Sequence, residues 1–97
     1  MTAYCYILFS PAINKFYVGS TGQHPEDRLK QHNESFFGSS SFSARTNDWR
    51  FFIIINCISI EQALRIEKHI KKMHSRKYYN SLKEYPEIIE KLLEKYK

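Results

Sequence analysis

Residues 3–19, AYCYILFSPAINKFYVG, decide how the chain starts to fold. Ala3 to Phe9 is rich in aromatic and branched side chains and reads as a strand. Ser10, Pro11, Asn14 and Lys15 supply turn chemistry, and Phe16 to Gly19 reads as the hairpin partner. Side chains alternate along a strand, so Tyr4, Tyr6 and Leu8 share one face of the first, and Tyr17 and Gly19 share one face of the second. That pattern predicts Tyr6 and Tyr17 as cross-strand neighbours.

Beyond the hairpin, Pro25 suits the first position of a helix, with Glu26 and Asp27 at its positive end, and the pattern runs to about His32 before Asn33. Arg28 and His32, four apart, fall on one face of it. Residues 34–48 are Ser-rich, with Phe36, Phe37 and Phe42 scattered through them; they read as a long connection with room only for a short turn near 42–46. Trp49 to Ile58 is a nearly continuous apolar run, expected as a central strand covered on both faces. Ser59 with Gln62 is a capping-box signature, and Ile60, Ala63, Leu64, Ile66, Ile70 and Met73 follow at helical spacing. A shorter helix is expected after Ser75. Pro86 opens a last one with the stripe Ile89, Leu92, Leu93 and Tyr96.

A chain of 97 residues suits one compact domain, here expected as 1–97 with a core over about 3–83 and a C-terminal helix over about 86–96. Hydrophobic residues at 42% and charged residues at 26% argue against wholesale disorder. Fifteen Lys and Arg against ten Asp and Glu leave a formal charge of +5, which favours association with an anionic polymer or surface. Cys5 and Cys57 sit in separate apolar runs without metal-ligand spacing, so buried free thiols and no disulfide-linked partner are expected. Met1 to Phe9 lacks a basic leader, and Phe51 to Ile60 is too short to span a bilayer. The expectation is a cytoplasmic protein with no membrane partner; its oligomeric state stays open.

Glu67 stands beside the apolar stripe of the long helix, where an unpaired carboxylate is costly to bury. Spacing alone allows two readings: a pair with Lys71 one turn on, or a metal ligand facing the tyrosines. Tyr6 and Tyr17 likewise read either as sheet aromatics or as chemistry, and Arg28 with His32 as a solvated helix face or a site.

The order of these residues resembles the GIY-YIG endonuclease family over nearly the whole chain. Tyr4-Cys5-Tyr6 stands where the family has Gly-Ile-Tyr, and Tyr17-Val18-Gly19 where it has Tyr-Ile-Gly. Residues 28–33, RLKQHN, resemble the family's Arg and His helix, and Glu67 in Arg65-Ile66-Glu67-Lys68 matches its metal-binding Glu. Ile70-Lys71-Lys72 and Ser75-Arg76-Lys77-Tyr78 are similar to small stand-alone members. Tyr4 and Cys5 depart from the first motif, and the hydroxyl-bearing Tyr6 is retained.

The resemblance implies an α+β fold, a central three-stranded antiparallel sheet flanked by helices, and a metal-dependent endonuclease acting on DNA. It implies Glu67 as ligand to one Mg²⁺ or Mn²⁺, Arg28 at the non-bridging phosphate oxygens, Tyr17 as base for the attacking water, Tyr6 positioning water or phosphate, and His32 accepting the proton or orienting the phenol. A free phenol's pKa near 10 fits neutral pH poorly, so nearby positive charge is required for that role. Lys30, Arg45, Lys68, Lys71, Lys72, Arg76 and Lys77 read either as DNA-backbone contacts or as solvated charge, and Phe36, Phe37 and Phe42 as partly buried core residues, with stacking on unpaired bases as the alternative. A non-catalytic basic nucleic-acid-binding module of the same fold is the alternative. A structural partner protein with incidental charge is a third reading.

Overall fold

A computed structural model describes residues 2–34 and 45–97 of the chain. The elements run β1 (Ala3–Ser10), β2 (Lys15–Thr21), α1 (Pro25–Asn33), β3 (Arg50–Cys57), α2 (Ile60–Met73), α3 (Arg76–Glu84) and α4 (Pro86–Lys95). The α+β expectation holds: the three strands form one antiparallel sheet in the order β2-β1-β3, with helices on both faces. Phe36, Phe37 and Phe42, with most of the long connection, lie outside the described residues.

The central strand is β1, not the apolar run expected there. β1 pairs on both sides, and Ala3, Cys5, Tyr6, Ile7 and Leu8 are each at most 2% exposed. β3 is an edge strand whose C-terminal half alternates: Ile53, Ile55 and Cys57 are buried, whereas Ile54 and Asn56 are exposed. The reason is uneven cover. α2, α3 and α4 pack the face that carries Ile53 and Ile55, while α1 brings Leu29 only to the Tyr6, Leu8, Trp49 and Phe51 end of the opposite face.

The register also corrects one expectation. Tyr6 lies opposite Gly19, and Tyr17 opposite Leu8, so the two tyrosines are diagonal neighbours on one face. Asn14 closes the hairpin at φ 54, a left-handed conformation that Asn tolerates better than most residues. Asp48, just before β3, accepts hydrogen bonds from Ser10 Oγ, Thr46 Oγ1 and the Ala12 amide (2.9 Å), tying the turn to the far edge of the sheet.

Ser59 caps α2 as expected, its Oγ accepting from the Gln62 amide at 3.1 Å. Gln62 Oε1 accepts from the Ile58 amide, one residue ahead of the cap, and Nε2 donates to the Leu93 carbonyl, so the same side chain fastens α4. Ala63, Ile66 and Ile70 form the buried stripe; Ile60, Leu64 and Met73, counted with them from spacing, are 38%, 51% and 46% exposed because they flank it. Ser75 caps α3, and α4 lays Leu92 and the half-buried Ile88, Ile89, Leu93 and Tyr96 on the core. Cys5 and Cys57 are buried free thiols, and burial raises the pKa of both. No helix among the described residues is long and apolar enough to cross a membrane.

Candidate active site

The site grows from the face of the β1–β2 pair that α1 covers. Pro25 begins α1, and the Glu26 amide donates to Nδ1 of His24, the N-cap. At the other end Asn33 donates to the Trp49 carbonyl at 3.0 Å and accepts from the Trp49 amide at 2.7 Å, locking the helix to the entry of β3. This clamp fixes which way Arg28 and His32 point. Neither lies on a solvated face: His32 is 1% exposed and Arg28 is half-buried.

Four side chains meet there. The Tyr6 hydroxyl and His32 Nε2 are 2.9 Å apart, and the Tyr17 ring lies tilted against His32 with centroids at 4.7 Å. The Arg28 guanidinium also acts on the Tyr6 phenol. Burial, partly offset by Arg28, pushes the Tyr6 phenol up to about 12, while burial and the Arg28 charge push His32 down to about 4. Near neutral pH Tyr6 is therefore a protonated phenol and His32 a neutral imidazole.

Gly19 makes this packing possible. A Cβ built on it would stand 2.6 Å from the Tyr6 hydroxyl oxygen and 2.7 Å from Cζ, so the phenol lies across the space that a side chain would fill.

Glu67 approaches from the other face of the sheet and meets the edge strand β2. Its Oε1 accepts from Ser20 Oγ, and its Oε2 is 2.6 Å from Lys71 Nζ. Of the two readings of the spacing, the pair with Lys71 is present; the carboxylate also turns toward the β2 edge, and its charge reaches Tyr6. Glu67 is 17% exposed and its lysine partner 52%, so water reaches the carboxylate. Among the described residues no three His, Cys, Asp or Glu side chains cluster as a metal site. A single carboxylate still suits a hard divalent ion such as Mg²⁺, which keeps several waters and takes phosphate oxygens, provided Lys71 swings aside. Lys71, half in solvent, is free to do that.

The expected backbone-binding residues do not form one surface. Arg45 and Arg76 line a cleft of about 320 Å³ with Asn14, Lys15 and Phe16, in which Arg76 donates to Asn14 Oδ1 at 2.7 Å and lies 5.0 Å over the Phe16 ring. Lys68 and Lys72 line a different cleft, Lys71 is on Glu67, and Lys30 and Lys77 are exposed on α1 and α3. Sequence reasoning missed Ser20 and Asn33. Ser20 carried a usable signal, because it is a polar residue at the inward position of a strand, two after Val18.

Comparison with curated proteins and with solved structures finds no match. The model of the GIY-YIG catalytic domain matches residues 2–80, which span the whole sheet, α1, α2 and the first turns of α3. With that match over most of its length, on the three-stranded sheet and helices that the resemblance implied, the chain belongs to the GIY-YIG nuclease family.

Proposed function

We propose that this protein is a metal-dependent DNA endonuclease that hydrolyses phosphodiester bonds around Tyr17, Arg28 and Glu67. The observation that carries the reading is the convergence on the β1–β2 pair of the family's tyrosines, arginine and histidine from one face, and of its glutamate from the other. Hydrolysis at phosphorus needs an activated water, charge neutralisation and help for the departing 3′ oxygen. A divalent cation held by Glu67, Mg²⁺ or Mn²⁺, supplies the neutralisation and the help for the leaving group.

The remaining work falls to the chain's own residues. Arg28 presents a planar fork to the non-bridging oxygens. Tyr17, half-buried beside His32, takes the proton of the attacking water through its hydroxyl. Tyr6 is held protonated and buried, so it serves as a positioning residue that fixes His32 and through it the Tyr17 ring. DNA is the substrate class on the family's chemistry, and two buried unlinked thiols suit a reducing, cytoplasmic compartment.

One observation favours the non-catalytic alternative: Lys71 occupies Glu67, as in an ordinary surface pair. A panel of labelled DNAs (duplex, single-stranded, branched and nicked) incubated with Mg²⁺, Mn²⁺ or EDTA separates the two. Cleavage of at least one DNA that EDTA abolishes is expected. Salt-sensitive binding with no cleavage of any of them would establish the binding module instead.

A further inference from the structure

α2 carries cations well away from Glu67. At 3.6 residues per turn, Lys68 lies roughly 100° and Lys72 roughly 140° around the helix from Glu67, with Arg65 close beside them. This stripe faces α4, and a cleft of about 510 Å³ between the two helices is lined by Arg65, Lys68, His69, Lys72, Lys95 and Tyr96, together with Met73. No acidic side chain among the described residues lines it. Among the described residues, Arg65, Lys68, Lys72 and Lys95 form no ion pair, in contrast to Lys71.

The cleft is held in shape. His69 hydrogen-bonds Tyr96 through Nδ1 at 2.9 Å and Tyr78 through Nε2 at 3.2 Å, so one imidazole on α2 fastens both α3 and the end of α4. Four cations brought together without a counter-charge repel one another, and an anion between the helices relieves that repulsion. Lys95 and Tyr96 also lie past residue 80, beyond the matched catalytic domain.

We infer that the α2–α4 cleft is a phosphate-backbone docking site for duplex DNA, built in part by the chain's C-terminal helix and separate from the site around Glu67. It rests on the endonuclease reading for the identity of the polyanion, and its test needs no cleavage. A duplex engaged at Glu67 continues around the outside of α2 and gains contacts from Lys95.

The test is duplex binding without divalent metal, followed by fluorescence anisotropy across a range of salt, for the parent protein, Arg65→Gln/Lys95→Gln and the charge-matched pair Lys83→Gln/Lys91→Gln. Each lost phosphate contact flattens the slope of log affinity against log salt by about 0.9. The expected result is a flattening of about 1 to 2 for the cleft pair, with little change for the matched pair and unchanged thermal melts for both. Equal slopes in the two double variants would overturn the cleft site while leaving DNA binding intact. A parent protein with no salt-dependent affinity would overturn the nucleic-acid reading itself.

Discussion

Tyr6 and Tyr17 bring the same phenol to one face of the sheet in different settings. Tyr6 is 1% exposed, hydrogen-bonds His32 and is pushed up to about 12, so it cannot exchange a proton usefully near neutral pH. Tyr17 is half-buried against His32. Tyr17→Phe keeps the ring and its packing, so thermal stability should change little while single-turnover cleavage falls about 10² to 10⁴-fold, the usual loss with a general base. Tyr6→Phe should show the reverse balance, losing on the order of 1 kcal/mol as the buried imidazole gives up a partner, with the smaller loss in rate. Equal rates for parent and Tyr17→Phe would make the phenol structural. His32 yields a separate expectation from its depressed pKa. Its value is about 4 in the fold and near 6.5 when unfolded, so between these the unfolded chain binds the proton first. Stability from this group is fully present above about pH 6.5 and is lost as pH falls toward 4, on the order of 1 to 3 kcal/mol. Ring-proton NMR should find one imidazole that does not titrate above about pH 5; a midpoint near 6.5 for His32 would contradict this.

At the level of elements, α1 is short and polar, and its placement depends on its end. Asn33 binds both the amide and the carbonyl of Trp49, a residue 3% exposed. Asn33→Ala strands those groups, which predicts a loss of about 2 kcal/mol in urea unfolding. It should also lower cleavage, because Arg28 and His32 ride on the same helix. A variant as stable as the parent would show that the clamp is dispensable. The helices themselves were legible in the sequence because Pro25, Ser59, Ser75 and Pro86 mark their starts. Strand order was not legible: the Trp49 to Ile58 run is as apolar as a central strand, and only the placement of α1 decides that Ile54 and Asn56 face outward. Register was not legible either, since the turn had to be seen before Gly19 rather than Tyr17 could be set opposite Tyr6.

Across the whole molecule, the candidate DNA-binding cations fall into separate territories: Arg45 and Arg76 by the hairpin turn, Lys68 and Lys72 between α2 and α4, and Lys71 at the carboxylate. Composition gave the sign of the net charge but not its division, because exposed lysines carry no periodic signal. The candidate residues Tyr6, Tyr17, Arg28, His32 and Glu67 were singled out by their order, whereas Ser20, which meets Glu67 from 47 positions away in sequence, came only from the packing of α2 on β2. The account turns on whether Glu67 serves a metal or only pairs with Lys71. The direct measurement is Glu67→Gln against the parent protein, comparing Mg²⁺-dependent nicking rates with calorimetric Mg²⁺ binding and confirming the fold by thermal melt. Gln keeps the shape and the Ser20 acceptor but removes the charge. The account predicts a folded variant that still binds DNA, takes up no Mg²⁺ and does not nick; nicking at the parental rate would contradict it and leave Glu67 as the partner of Lys71 alone.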